Sequence, residues 1–264
     1  MSRKANQTDR RPDESSKSSG SQTVHRAISI LEIFELDKTS WTLTEISNET
    51  GLTLSTTHRL IHSLQDHEFL IVDSESKRYS LGPGLMRLAR VILYRDELQG
   101  IYALAAPIMS ETRNRTGETV GLHRILGNYR VCVSELASFH TVRTQSSVGG
   151  LQPLHAGAAS KVLIAWLSEA ARLQLLPGDT FAAVTPNSHT TRDSLELDLE
   201  RVREQGYAVS LGESVNGAAA LAVPIFDATG TAVAAVNVTG PVERWNLQSM
   251  RDHVDELLAA ASSV

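Results

Sequence analysis

The sequence predicts an α+β protein with a helical N-terminal unit closed by a strand hairpin, a connecting helix, and a larger domain of antiparallel strand pairs interleaved with helices. Three observations carry this prediction. Between residues 23 and 66, apolar residues recur every three or four positions, the period of a helix with one buried stripe. Two stretches, 119–135 and 218–238, break into strand-like runs around short polar turns. Between these regions, after Pro83-Gly84, a further helical stripe begins.

Residues 1–20 hold almost nothing that can be buried, so no gain offsets the entropy of ordering them, and they read as a disordered tail. Arg3, Lys4, Arg10, Arg11 and Lys17 outnumber the tail's acids, which suits either attraction to a polyanion or a solubilising leader. Val24, Ala27, Ile28, Leu31 and Phe34 then mark a first helix. Thr42-Leu43-Thr44-Glu45 has the capping-box form that starts a second, which stops at Gly51. Thr53 can cap a third, with Leu54, Thr57, Leu60, Ile61 and Leu64 on its buried arc.

The opposite arc of that third helix carries Ser55, Arg59, His62 and Ser63, with Thr56 at the flank. Arg can bind guanine bidentately, and small hydroxyls reach phosphates or base edges without bulk, so this face fits a DNA recognition helix. A merely solvated face would look the same. Leu70-Ile71-Val72, the polar turn 73–77 and Arg78-Tyr79-Ser80-Leu81 add a hairpin, and three helices with such a hairpin make a winged helix-turn-helix over 21–82. Lys77 and Arg78 on the wing suit phosphate contact. The charge balance opposes this, since residues 21–82 hold five Lys+Arg against nine acids.

Residues 83–97 form the connecting helix, with Leu85, Leu88, Ala89 and Ile92 in one stripe. From residue 98 to 264 runs the second domain. Its first helix, Leu98 to about Arg115, points Ile101, Leu104, Ala105 and Ile108 inward. Strands are expected at 119–125, 129–135, 218–226 and 231–238, and helices at 156–167, 194–205 and 247–261, giving a sheet covered on one face.

Composition narrows the chemistry. The net charge is -5, and a single cysteine, Cys132, allows neither an internal disulfide nor a four-thiolate metal site. No apolar run spans a bilayer and no signal-peptide core is present, so a cytoplasmic protein without membrane partners is expected. No GxSxG elbow, GxxxxGK[ST] loop, GxGxxG fingerprint or HExxH motif occurs, so no catalytic residue, cofactor or metal is expected. His123, His140 and His155 could meet only through the fold. Cys132, inside an apolar strand, reads as a packed thiol.

Two separate segments carry a resemblance. The run LTEISNETGLTLSTTHRLIHSLQDHEFLIVDSESKRYSLGPGL resembles the winged helix-turn-helix of the IclR family of bacterial transcriptional regulators. GLQPLHAGAASKVLIAWL and RVREQGYAVSLGESVNGAAALAVPIFDATGTAVAAVNVTGP resemble that family's effector-binding domain. The resemblance implies a GAF-like domain whose curved antiparallel sheet and covering loop enclose a small organic carboxylate. It also implies double-stranded, pseudo-palindromic operator DNA as partner, a homodimer or dimer of dimers, and repression of a catabolic operon. The alternative is a small-molecule enzyme with a structural helical N-terminus.

Carried over by resemblance, the effector's carboxylate meets the amides of Ala158 and Ala159 at a helix start and the side chains of Asn237 and Thr239. Ser210 and Ala220 stand where family members with small oxo-acid ligands have an acid and a cysteine. Thr141, Thr144 and Gln152 replace apolar loop residues. With Ala218 and Ala220 small, a longer aromatic or sugar-derived acid is expected. Glu213 reads equally as a partner for a ligand hydroxyl or as a loop carboxylate in water.

Overall fold

The computed structural model describes residues 19–35, 37–93 and 96–262. The chain divides into two compact units, residues 1–95 and 96–264. The expected tail, except its last two positions, lies outside the described residues.

In the first unit, α1 (Ser19–Glu32) is followed by a two-residue strand β1 (Trp41–Thr42), α2 (Leu43–Thr50) and α3 (Leu54–Asp66). The α2 start is the expected capping box. Thr42 accepts from the Glu45 amide at 3.3 Å, and Glu45 accepts from the Thr42 amide at 2.7 Å. Gly51 ends α2 at φ +67°, a left-handed conformation that an L side chain resists, which sets the sharp turn into α3. Thr53 caps α3 through the Thr56 amide. Strands β2 (Leu70–Val72) and β3 (Arg78–Leu81) form the wing and take β1 as a third, outer strand.

Ile30, Trp41, Ile46, Leu60, Ile61, Leu64 and Leu70 make the core of this unit. Part of the expected stripe is rotated away from it. Val24, Ile28 and Leu54 are exposed, and in α1 the contacts come from Ile30 with Ala27 and Leu31. Three short helices enclose only a narrow core, so one side of the α1 stripe and the start of α3 lie outside it. Helix α4 (Pro83–Leu93) closes the unit. Leu85 and Ala89 are half-buried, whereas Met86, Leu88 and Val91 are exposed. The side chain of Ile92 lies outside the described residues.

The second unit opens with α5 (Asp96–Thr116) and the hairpin β4 (Thr119–Leu126) and β5 (Tyr129–Leu136), then β6 (Leu151–Pro153). It continues through α6 (Ala158–Ala165), α7 (Glu169–Leu175), α8 (Arg192–Gln205), β7 (Ala208–Leu211), β8 (Ala218–Phe226), β9 (Ala232–Pro241) and α9 (Leu247–Ser262). The sheet is antiparallel and curled, in the order β6-β5-β4-β9-β8-β7.

Helices cover both faces of this sheet, which corrects the one-face expectation. Leu221, Val223, Val236 and Val238 face α5 and α9, with Ala105, Ile108, Met109 and Leu257. The alternate residues Ala220, Ala222 and Ala235 face α6 and α8. The period-two alternation therefore puts the large aliphatic side chains of β8 and β9 on the first face, with Ala219 and Ala234 among them, and small Ala220, Ala222 and Ala235 on the second, where α6 approaches closely. Leu104, expected inward, is exposed, and Met109 takes the core position.

Candidate functional site

Two places in the chain carry candidate chemistry. The first is the outer face of α3 with the wing. Ser55, Arg59 and His62 are exposed and Thr56 is half-buried, held by the Thr53 hydroxyl at 3.0 Å. His58 and His62, one turn apart on the same helix, stack edge-on with ring centroids 6.3 Å apart.

Lys77 sits exposed at the wing tip with φ +55°. Its turn is closed by Asp73, which accepts from the Glu75 amide and the Ser76 hydroxyl, and these bonds hold the Asp73 carboxyl below its ordinary pKa. Arg78 is not presented as expected. Its guanidinium donates to the Ser40 hydroxyl at 3.0 Å and the Ser40 carbonyl at 2.8 Å, and it lies 3.2 Å from Glu45. It clamps β3 to the α2 start, because β1 pairs alongside β3 and brings Ser40 within reach. The Glu45 carboxyl is held down to about 2, first by the Thr42 backbone and then by the Thr42 side chain.

The second place is a cavity of about 70 Å³ between the alanine-rich face of the sheet, the α6 start and the loop after β5. Its floor is Ser210 on β7, Ala218 and Ala220 on β8, Asn237 and Thr239 on β9, Arg130 on β5 and Gln152 on β6. Gly157, Ala158 and Ala159 form one wall, with Ser214 beside them. The N-cap Gly157 adopts φ +93° and offers no side chain to the first amides of α6. A Cβ there would meet the Ser214 hydroxyl at 2.2 Å, so both conformation and space call for glycine. Thr144, Gln145 and Ser146 close the top, where the Ser146 amide donates to Glu135 at 2.5 Å and Arg244 donates to the Val142 carbonyl at 3.0 Å.

A buried hydrogen-bond chain runs under the cavity. Asn237 Oδ1 accepts from the Gly121 amide at 3.1 Å and from His123 Nε2 at 2.8 Å, which fixes its amide with the NH₂ group left to donate elsewhere. Gly121 leaves the space for this contact, since a Cβ there would lie 2.6 Å from both groups. His123 Nδ1 in turn accepts from Arg130 at 3.2 Å. A register shift between Leu122 and His123 aims the imidazole at these partners. Burial and the neighbouring Arg130 cation push His123 well below its ordinary pKa, so it is the neutral imidazole with the proton on Nε2.

Arg130 is 7% exposed, and its Nε has no partner among the described residues. Burial lowers its pKa to about 10. The Ser214 hydroxyl oxygen is likewise buried without a partner among the described residues. Behind the wall, Lys161 is fully buried. Its ammonium donates to Asp198 at 2.7 Å, Glu213 at 2.6 Å and the Val209 carbonyl at 2.6 Å. His189, Asp198 and Glu213 are close enough to hold a metal ion, but that ammonium already supplies a cation to both carboxylates. Burial alone would raise Asp198; hydrogen bonds from His189 and Lys161 instead hold it well below the usual carboxylate range. Cys132 is buried, and desolvation pushes its thiol up to about 11.

The profile of the IclR C-terminal domain of bacterial transcriptional regulators matches residues 97–264, and that of the IclR helix-turn-helix domain matches residues 23–74. The chain belongs to the IclR family. The HTH-type transcriptional regulator XynR of Escherichia coli K12 is 31% identical over 244 residues, covering 91% of this chain and 96% of that one. The transcriptional repressor AllR of the same strain is 32% identical over 225 residues, covering 85% and 82%. The crystal structure of the Thermotoga maritima IclR superposes with a TM-score of 0.74 at 25% identity, covering 92% and 98%. This IclR-family chain is thus a DNA-binding transcriptional regulator and not an enzyme, which sets aside the alternative of a catalyst with a structural N-terminus.

Of the expected effector residues, the cavity brings together Thr144, Gln152, Ala158, Ala159, Ser210, Ala218, Ala220, Asn237 and Thr239. Thr141 is exposed on the loop and does not line it. Glu213 does not line it either, because both of its oxygens are engaged, one by Lys161 and one by the Gly157 amide at 3.0 Å. Thr239 spends its proton on the Ala219 carbonyl at 3.2 Å, so in this state it offers lone pairs to the cavity. The space expected above Ala220 is taken by α6, whose Ala158 and Ala159 share its core. Arg130, Ser214 and Gly157 are not among the residues that the sequence singles out. The available signal is a guanidinium in register with Cys132 on an otherwise inward strand face.

Proposed function

We propose that this IclR-family regulator is a cytoplasmic repressor of a catabolic operon, released from a pseudo-palindromic operator by a compact, hydroxylated organic acid in the C-terminal cavity. The observation that carries the effector reading is the lining itself: an uncapped helix start, the free NH₂ of Asn237 and five hydroxyl-bearing residues surround a buried cation. Amides at a helix start favour an anion, and Ser, Thr and Gln favour a hydroxylated body. Ser, Thr, Asn and Gln side chains rather than aromatic rings line the cavity, which favours the sugar-derived class of acid over the aromatic one. The repressor named among the relatives favours repression.

The exposed Leu88 and Val91, three residues apart on one face of α4, favour a homodimer through that helix, which places two α3 helices on two half-sites. Arg59, Ser55, Thr56 and His62 would read base edges or phosphates, and Lys77 a phosphate.

Calorimetry with hydroxylated acids on the full chain tests the effector reading. Thr239→Val should weaken binding by about 0.5–3 kcal/mol while leaving operator affinity without ligand unchanged. Equal ligand affinity in parent and variant would place the effector elsewhere.

A further inference from the structure

Resting on the reading of the cavity as a carboxylate site, we infer that the effector carries a second acidic group, and that Arg130 is its partner. The ligand class is a hydroxylated diacid. Arg130 is nine-tenths buried, lines the cavity, and among the described residues forms no ion pair. Among the described residues the one hydrogen bond of its guanidinium goes to the neutral His123 Nδ1, which contributes no charge, and its Nε is buried without a partner. A buried guanidinium costs several kcal/mol unless an anion meets it, and among the described residues no protein carboxylate meets this one.

The groups that meet the first carboxylate and Arg130 sit on different elements. The α6 start packs over β8 and β9, where Ala218, Ala220, Asn237 and Thr239 form the floor. Arg130 belongs to β5, and β4 lies between β5 and β9. Two strand spacings put the backbones about 10 Å apart. Beneath the cavity the His123 ring joins the two, bonded to Asn237 on one side and to Arg130 on the other. The cavity thus offers two anion partners on different strands, with Ser210, Ser214 and Thr144 also in its lining. The Asn237–His123–Arg130 chain holds the guanidinium in place from behind, leaving its Nε edge unsatisfied within the cavity wall.

The test compares acids matched in chain length and hydroxylation. Threonate is set against tartrate and gluconate against glucarate, each by calorimetry and thermal shift on the full-length parent, Arg130→Gln, Arg130→Lys and Thr239→Val. A diacid of one pair should bind the parent roughly tenfold or more tightly than its monoacid partner, a charge-assisted bond's worth. Arg130→Gln should abolish that preference, and Arg130→Lys, which keeps the charge, should retain part of it. Thr239→Val should weaken both acids of a pair alike. A monoacid that binds as tightly as its diacid, or an Arg130→Gln protein that keeps the full preference, overturns the second-group inference and leaves the carboxylate reading standing. Failure of every acid in the panel to bind the folded parent overturns both.

Discussion

Glu213 accepts from the Lys161 ammonium at 2.6 Å with one carboxylate oxygen and from the Gly157 amide at 3.0 Å with the other. Through Gly157 a buried ion network therefore sets the position of the α6 start, the wall on which the effector's first carboxylate is proposed to dock. Replacing Lys161 by Met removes the cation from two carboxylates that stay in the interior. Urea unfolding of Lys161→Met should show a loss of about 3–5 kcal/mol, with acid binding weakened in parallel. A variant as stable as the parent would mean that Asp198 and Glu213 find other partners.

The neutral His123 makes stability depend on pH. Its folded pKa is depressed by burial and then by Arg130, whereas in the unfolded chain it titrates near 6.5. Below about pH 6.5 the unfolded state takes up a proton that the folded state refuses, so stability falls as pH drops toward the folded pKa. His155, also depressed by burial, adds to the same slope. Urea midpoints between pH 8 and pH 5 should fall for the parent and fall less for His123→Gln. Identical slopes would remove His123 as a source.

Much of the fold is legible in the sequence because it is local. The Thr42 capping box, the Gly51 stop, the Thr53 cap and both long hairpins follow from chemistry within a few residues. What the sequence hides is set by partners distant along the chain. Arg78 looks like a wing cation until β1 pairs beside β3 and presents Ser40 and Glu45 to it. Glu213 reads as a loop acid because Lys161 is 52 residues away in sequence. Arg130 gains its meaning only when the sheet brings His123 and Asn237 together. The alanines of β8 suggest open space because the close packing of α6 is not written in β8 itself.

The same distinction separates the cations of the N-terminal unit. Arg59→Ala, on the exposed face of α3, should cost about 1–3 kcal/mol of discrimination at one base position. Lys77→Ala should instead weaken binding uniformly and lower the salt slope by about one unit. Arg78→Ala should act through folding, lowering the melting temperature by releasing β3 from Ser40 and Glu45. Footprinting and salt titrations distinguish the first two; an unchanged footprint for Arg59→Ala would reassign the recognition face.

Leu88 is 55% exposed on α4, a large apolar side chain without cover in the single chain. Leu88→Glu should yield monomers by sedimentation, with weak operator binding. A dimer unchanged by the substitution would move the subunit contact off this helix.

The central claim is that the cavity of the C-terminal unit and the winged helix-turn-helix form one switch. Fluorescence anisotropy of the full-length protein on labelled DNA from upstream of its own gene, titrated with and without a saturating hydroxylated acid, tests it most directly. The expected result is specific binding that the acid weakens about 5- to 150-fold, with that response lost in Arg130→Gln while its operator affinity without acid stays at the parent's level. An operator affinity that is the same with and without an acid shown by calorimetry to be bound would contradict it.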